Sequence, residues 1–515
     1  MLRGVTLGLG LTVTLAVVPL RGAQDPEPAA PTFSRDIAPI VYDRCSTCHR
    51  PGSAAPFSLL TYRDVSKRAR QIALVLKDRS MPPWMPTEGY GEFHEPRNLT
   101  EEQLATFLAW IRAGSPLGDA EEIPPPPEFS DGWRLGEPDL VLTMPEPYQV
   151  PAEGYELWRT FVIPTGLEED TNLRAIEFRP GNERVVHHFV MYMDRSGNAR
   201  RADEADPDVG YPGMTAEVEL LGEEAYGWVP GMMPHELPPG VATRVAAGTD
   251  FVLDTHFLTS GKTEPIQMQV GLYFAEEEPR FFPAGVIVIG PGASIPPGMS
   301  DYTLSESFTL PVDAKAMTIA PHAHYVCKSA HVWADLPSGE REELLLIEEW
   351  DPNWQEIYRY REPVALPEGT RIEMRFTYDN SSNNPRNPFD PPHRVLTGKA
   401  SYNEMAIAWL NVIVDDPADL PVLREATNRA YREDAQRANR LLDIWKSLVT
   451  LFDADGSGTL DPDEDARATA YVESIWDNER LMLAGFDTDR DGVMSEEEKE
   501  FLAMVVRYWN GEPAQ

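Results

Sequence analysis

Cysteine is nearly missing from this chain. It occurs three times in 515 residues, and two of the three fall within four positions of each other, so a disulfide framework is excluded as the source of stability. Basic residues are also in short supply. The 45 lysines and arginines face 83 aspartates and glutamates, a formal net charge of -38, which repels a phosphate backbone and removes nucleic acid from the partners to be considered. Beyond the first twenty residues no apolar run reaches the length needed to span a bilayer. Histidine is the most informative scarcity: there are ten, and five of them stand in one ordered array in the middle of the chain.

The N-terminus carries Met1-Leu2-Arg3 and then a mainly apolar run from Gly4 to Leu20, the charged and hydrophobic regions of a secretory signal over residues 1–23. The chain is therefore expected to be exported, to the periplasm or as a secreted protein, with no membrane span beyond the signal segment. Its length provides for three or four domains, and its apolar fraction of 42% is that of a globular protein able to bury sizeable cores.

Cys45-Ser-Thr-Cys48-His49 is a CxxCH sequence, with two thiols for thioether attachment of haem c and an adjacent imidazole as iron ligand. No second cysteine pair exists to complete a zinc site. Downstream, Thr100-Glu-Glu-Gln103 has the form of a capping box, opening a helix with Leu104, Phe107, Leu108 and Ile111 on one face. Residues 24–121 read as a haem domain, and residues 32–118 resemble a small class I cytochrome c. That resemblance implies a methionine as sixth iron ligand, Met81, with Met85 and then His94 as alternatives. The linker 122–131 contains four consecutive prolines, a stiff spacer expected to hold the haem domain apart from the central region of the chain.

The histidine array runs His187-His188, His256, His322-x-His324, and ends on Met405. Imidazole and thioether together suit copper, whose oxidised state favours nitrogen and whose reduced state accepts a soft sulfur. Residues i and i+2 of a strand share a face, so His322 and His324 can share a metal there. Adjacent residues point to opposite faces, so joint ligation by His187 and His188 requires a twist or bulge. A lone HH or HxH would read as strand packing and a lone methionine as core filler.

The ordered combination resembles the type II copper, ascorbate-dependent monooxygenases, the peptidylglycine- and dopamine β-hydroxylating enzymes, over residues 132–415. The resemblance implies an electron-transfer copper on His187, His188 and His256, and a catalytic, oxygen-activating copper on His322, His324 and Met405. It also implies two jelly-roll-like β-sandwich halves, 132–285 and 286–415, in keeping with short apolar strands punctuated by Pro and Gly. The segment Trp228–Gly240 resembles the family's proline-rich stretch between ligand clusters, with His235 structural. Cys327 reads as a buried strand thiol, and His331 as strand packing with substitution at the copper as its alternative role. Ala320 and Trp409 stand where peptide-amidating members have arginine and tyrosine, which argues against peptidylglycine as substrate. The implied partners are O2, a small-molecule or peptide substrate, and an external electron donor, either an ascorbate-like reductant or a redox protein, with the haem as a port of electron entry.

Residues 416–515 begin with a helical stretch, Leu420–Leu451, and then carry two EF-hand calcium loops. The first offers Asp453, Asp455, Ser457, Thr459, Asp461 and Glu464, and the second Asp487, Asp489, Asp491, Val493, Ser495 and Glu498. Gly458 and Gly492 stand where the loop turns sharply. Two calcium ions acting as a structural staple are expected.

The fold class expected is multidomain: a small all-α cytochrome c domain, two jelly-roll-like β-sandwich copper domains and an α-helical EF-hand tail. The function expected is an exported copper-dependent monooxygenase that hydroxylates an organic substrate with O2, using two copper ions, haem c and two calcium ions. Two alternatives stay open: a non-enzymatic periplasmic haem and copper protein for electron transfer or metal handling, and a calcium-dependent binding module.

Overall fold

The computed structural model describes residues 30–53, 55–129, 132–154, 157–213, 226–475, 477–487 and 490–512. The expected signal segment and Asp489 lie outside the described residues.

The N-terminal part contains the helix predicted at the Thr100 cap and four further helical segments. The segments Phe33–Ile37, Ala38–Arg44, Tyr62–Lys67, Ala69–Lys77 and Glu101–Arg112 pack Phe33, Ile37, Val41, Val65, Phe107 and Trp110 against one another. The last of these opens on a reciprocal cap. Gln103 N–H donates to the Thr100 hydroxyl at 3.1 Å, and Thr100 N–H donates to the Gln103 side chain at 3.0 Å, so two orphan amides of the first turn are satisfied.

Four larger antiparallel sheets, with two two-stranded ones, organise the β region among the described residues. The first orders Leu140–Thr143, Gln269–Phe274, Thr171–Arg179 and Thr243–Val245. The second orders Tyr211–Pro212, Leu157–Pro164, Asp250–Phe257, Val186–Asp194 and Tyr226–Trp228. These two share a core that includes Leu142, Phe161, Phe189, Leu253 and Leu272. The third sheet orders Pro283–Ile289, Ile407–Ile413, Ala314–His322 and Tyr358–Leu366, and the fourth Tyr302–Thr309, Arg371–Tyr378, Cys327–Asp335 and Arg341–Ile347. Val286, Ile319, Leu410, Val332 and Phe376 fill the core between them. Alternation sets the burial. Along Arg371–Tyr378 the buried residues are Ile372, Met374, Phe376 and Tyr378, every second position, and each such side chain contributes about 1.5–3 kcal/mol.

This architecture corrects the fold class expected from the sequence. In place of an all-α cytochrome c domain and two jelly-roll halves, the described residues form mostly small antiparallel sheets in a four-bladed, propeller-like arrangement with accompanying helices. The physical reason is pairing range. Local alternation reports which residues are half-buried, but sheet membership is decided by partners such as Leu140 and Leu272, far apart in sequence.

The spacer expectation is corrected as well, because the N-terminal segment docks. Thr87 N–H donates to Leu346 O at 2.8 Å, and Arg361 N–H donates to Glu92 O at 2.7 Å. Phe93 bridges to Tyr360 and is buried in the third and fourth sheets' core, with Trp84 and Met85 packed beside it. Stiff prolines fix a local direction, while three apolar side chains needing cover decide where the segment rests.

The tail helices Asp419–Phe452, Pro462–Ile475, Glu479–Phe486 and Glu496–Trp509 enclose Leu441, Trp445, Leu460, Leu502 and Trp509. Arg394, 4% exposed, ties this bundle to the β region. It pairs with Asp465 and donates to Ser294 Oγ at 2.8 Å and to Trp509 O at 2.6 Å. Among the described residues no helix is long and apolar enough to cross a membrane.

Candidate metal centre

His188 and His256 are cross-strand partners in the second sheet, and the ladder slips by one residue between Val186 and His188. His187 is therefore the extra residue of a bulge, which frees its side chain from the strict alternation that would send it away from His188. The three ring centroids lie 4.9, 5.1 and 5.2 Å apart, and one ligand atom from each imidazole lies within 4.8 Å of the others. A metal about 2 Å from each nitrogen needs them within roughly 4 Å of one another, so the set fits a three-nitrogen site with small adjustment. Trp158, the partner of His256 on the neighbouring strand, stacks on that ring at 4.5 Å with 3° between planes.

The second set is built differently. The strand Ala314–His322 ends at His322, and His324 lies in the turn beyond it. The expectation that both rings stand on one regular strand is thus corrected: the ladder stops at His322 because its partner there, Ile407, is the first residue of the neighbouring strand Ile407–Ile413. The rings still approach, with centroids 5.0 Å apart and planes at 89°. His324 Nδ1 lies 3.2 Å from Asn403 O. Met405 is half-buried, its N–H on Glu404 at 3.2 Å and its carbonyl accepting from the Tyr378 hydroxyl at 2.8 Å. Its thioether is not among the described groups that line the histidine cavity.

That cavity joins the two sets. All five imidazoles line it, along with Trp158, Tyr325, Gln355 and Ser401. Its volume is about 20 Å³, room for a species the size of one water. Burial first, and then the neighbouring imidazoles of both sets, hold His188 well below the ordinary histidine range. Burial likewise holds His322 down at about 4. Both rings are neutral near pH 7, the state in which imidazole donates a lone pair to a metal.

The CxxCH motif comes directly after the helix Ala38–Arg44. His49 Nδ1 lies 3.1 Å from Phe57 O, a contact that fixes this nitrogen as the donor and leaves Nε2 for a ligand. No disulfide joins Cys45 to Cys48. Gly231 packs so closely on Cys48 that an added Cβ would lie 2.7 Å from Sγ. The donor set thus fits haem c. Of the candidate sixth ligands, Met85 sulfur accepts from Asp351 N–H at 3.2 Å, and His94 lines an interior cavity of about 140 Å³ with His235. Met81 N–H donates to Val75 O at 3.3 Å, and the described contacts do not bring its sulfur to His49. His331 is engaged elsewhere, 2.6 Å from Glu343.

In the first calcium loop Asp453, Asp455 and Glu464 each place one oxygen within 4.8 Å of the others. Gly458 adopts φ 82° and Gly492 the same, a conformation that costs glycine little. Glu464, 3% exposed, accepts from Ala454 N–H at 2.6 Å and from Asp461 N–H at 3.1 Å. In the second loop Asp487 accepts from Gly492 N–H at 2.9 Å, and Glu498 accepts from Ser495 N–H at 2.9 Å.

Three residues with no signal in the sequence shape the centre: Trp158 on His256, Gln355 on His322, and Glu404 beneath His324. A lone tryptophan, glutamine or glutamate in a strand or loop carries no spacing to identify it.

No family model matches the chain and no curated protein matches it. Two solved structures of PNGF-II, in different crystal forms, are similar at 9% and 10% identity over 53% of this chain, with TM-scores of 0.20 and 0.24. The match covers 65% and 64% of those chains, less than two thirds of their length, and likeness at that level carries no inference about fold or activity.

Proposed function

We propose that the chain is an exported copper-dependent monooxygenase acting with O2 on an organic substrate, its electrons entering through haem c. The observation that carries this reading is the convergence of His187, His188, His256, His322 and His324 on one small cavity. Copper held by these imidazoles would supply the one-electron redox chemistry by which one oxygen atom of O2 enters a C–H bond and the other leaves as water, the two electrons coming from an external donor, relayed by haem c on Cys45, Cys48 and His49. His187, His188 and His256 would hold one ion, and His322 and His324, with Met405, the other. Trp158 holds the His256 ring by stacking, and Gln355 lines the cavity with His322. Exposed Leu258 and Asn353 form the rim from which a substrate approaches.

One loop supports the haem's part in this reading. Residues 351–356 include Pro352, Asn353 and Gln355, which line the histidine cavity, and Glu356, which pairs with Arg97 of the N-terminal segment. Arg97 also donates to Gly231 O at 3.4 Å, beside Cys48. The haem motif and the cavity are thus separated by a short run of contacts.

A second reading, electron transfer or metal handling without oxygenation, draws on the cavity's small volume. The experiment that separates them uses protein matured with haem. Copper and haem content are measured, and reoxidation of the reduced haem by O2 is monitored with and without copper. Two coppers per haem and copper-dependent reoxidation with O2 uptake are expected. Copper without O2 uptake leaves the second reading, and absence of copper overturns both.

A further inference from the structure

We infer that Glu404 is the positioning residue of the second ligand set, an inference that rests on the copper reading above. Its side chain is fully buried, a costly place for a carboxylate unless its lone pairs are used. They are used on ligand-bearing backbone. One oxygen accepts from His324 N–H at 2.9 Å and Met405 N–H at 3.2 Å, and the other from Val326 N–H at 2.8 Å and Cys327 N–H at 3.1 Å. A single side chain therefore ties the turn that carries His324 to the segment that carries Met405.

The need for such a tie arises from the strand ending at His322. The ladder that fixes the first set stops before His324, and the turn has to be held by tertiary contacts instead. Glu404 is itself anchored, its N–H donating to Leu396 O at 3.0 Å and its carbonyl accepting from Gly398 N–H at 3.2 Å and the Thr397 hydroxyl at 3.2 Å. The preceding residue's carbonyl faces His324 Nδ1, which directs Nε2 toward the cavity in the manner of a histidine oriented by an outer partner. Tyr378, fully buried, steadies the Met405 carbonyl from the opposite side.

The test uses the full-length protein in which His187→Ala, His188→Ala and His256→Ala together remove the first set, so that copper titration reads the second alone. Glu404→Gln keeps the shape but turns amide protons toward backbone N–H groups, and a loss of about ten- to a hundredfold in copper affinity is expected, the effect of removing an outer partner. Tyr378→Phe, which leaves packing intact, is expected to weaken binding about two- to tenfold. In a chain with the first set whole, Glu404→Gln leaves that set's affinity and optical spectrum unaltered. Equal loss in both sets, in step with a fall in Tm, would mark Glu404 as merely structural and overturn the inference. Unaltered second-set affinity in Glu404→Gln overturns it too, while absence of copper at His322 and His324 without any Glu404 change overturns the copper reading itself.

Discussion

His187, His188 and His256 stand on two neighbouring strands of one sheet, whereas His322, His324 and Met405 come from a strand end, a turn and a loop. In the first set the ladder does the positioning: cross-strand pairing places His188 opposite His256, and one bulge brings His187 round. In the second set the ladder runs out, and a buried carboxylate, a carbonyl and a tyrosine hydroxyl take over. Regular backbone tolerates the loss of any one neighbouring side chain, while a turn held by a few buried polar groups depends on each of them.

The largest effect that can break this comparison is the removal of a ligand. His256→Ala leaves the first set two imidazoles, and its copper affinity is expected to fall by more than about a hundredfold, beyond what loss of an outer partner causes. Copper retained after dialysis against a mild chelator should drop from two ions to one. Loss of both ions would mean that the five imidazoles behave as a single site, and the division into two sets would fail.

The next effect lies on the second set's side of the comparison. His393 Nδ1 lies 2.7 Å from the Thr459 hydroxyl, and Arg394 N–H donates to Leu460 O at 3.2 Å. The same short segment reaches Leu396, which receives the Glu404 N–H. Arg394→Met leaves Asp465 buried without its cation, at about 3–5 kcal/mol, read as a lower Tm of the tail. Chelation of calcium is expected to act along the same route more weakly, loosening copper at His322 and His324 and sparing the first set. A first set that weakens equally would show that the tail stabilises the whole molecule indiscriminately.

The two sets are legible in the sequence to different depths for a physical reason. The parity of a strand makes a bulge at His187-His188 a requirement that can be deduced, and the capping box at Thr100 and the turning glycines at 458 and 492 are equally local. The end of the strand at His322 depends on where its distant partner strand, Ile407–Ile413, begins. Glu404 is legible only once residues 324 and 405 are known to be neighbours. The sheet arrangement differs from the expected jelly rolls for the same cause, since alternation along Arg371–Tyr378 is identical whichever sheet receives it. The proline stretch predicts a spacer because stiffness is local, whereas the docking of Trp84, Met85 and Phe93 depends on a surface supplied far along the chain.

The smallest effect sharpens the comparison most, because it asks how much the ladder alone accomplishes. Trp158 covers His256 at 4.5 Å with planes nearly parallel, and meets His188 edge-on at 5.3 Å. Trp158→Leu removes that lid but leaves the pairing of strands Leu157–Pro164 and Asp250–Phe257 untouched. If the ladder is sufficient to aim the rings, first-set copper affinity falls only about tenfold, the low end for loss of an outer partner, and Trp158→Phe, which restores a stacking face, recovers most of it. The measurement is competitive copper titration of the first set with the second as internal reference. A loss as large as that expected for Glu404→Gln in the second set would mean that the first set is also held by a side-chain clamp, and that the regular strand contributes less to its aim than its geometry suggests.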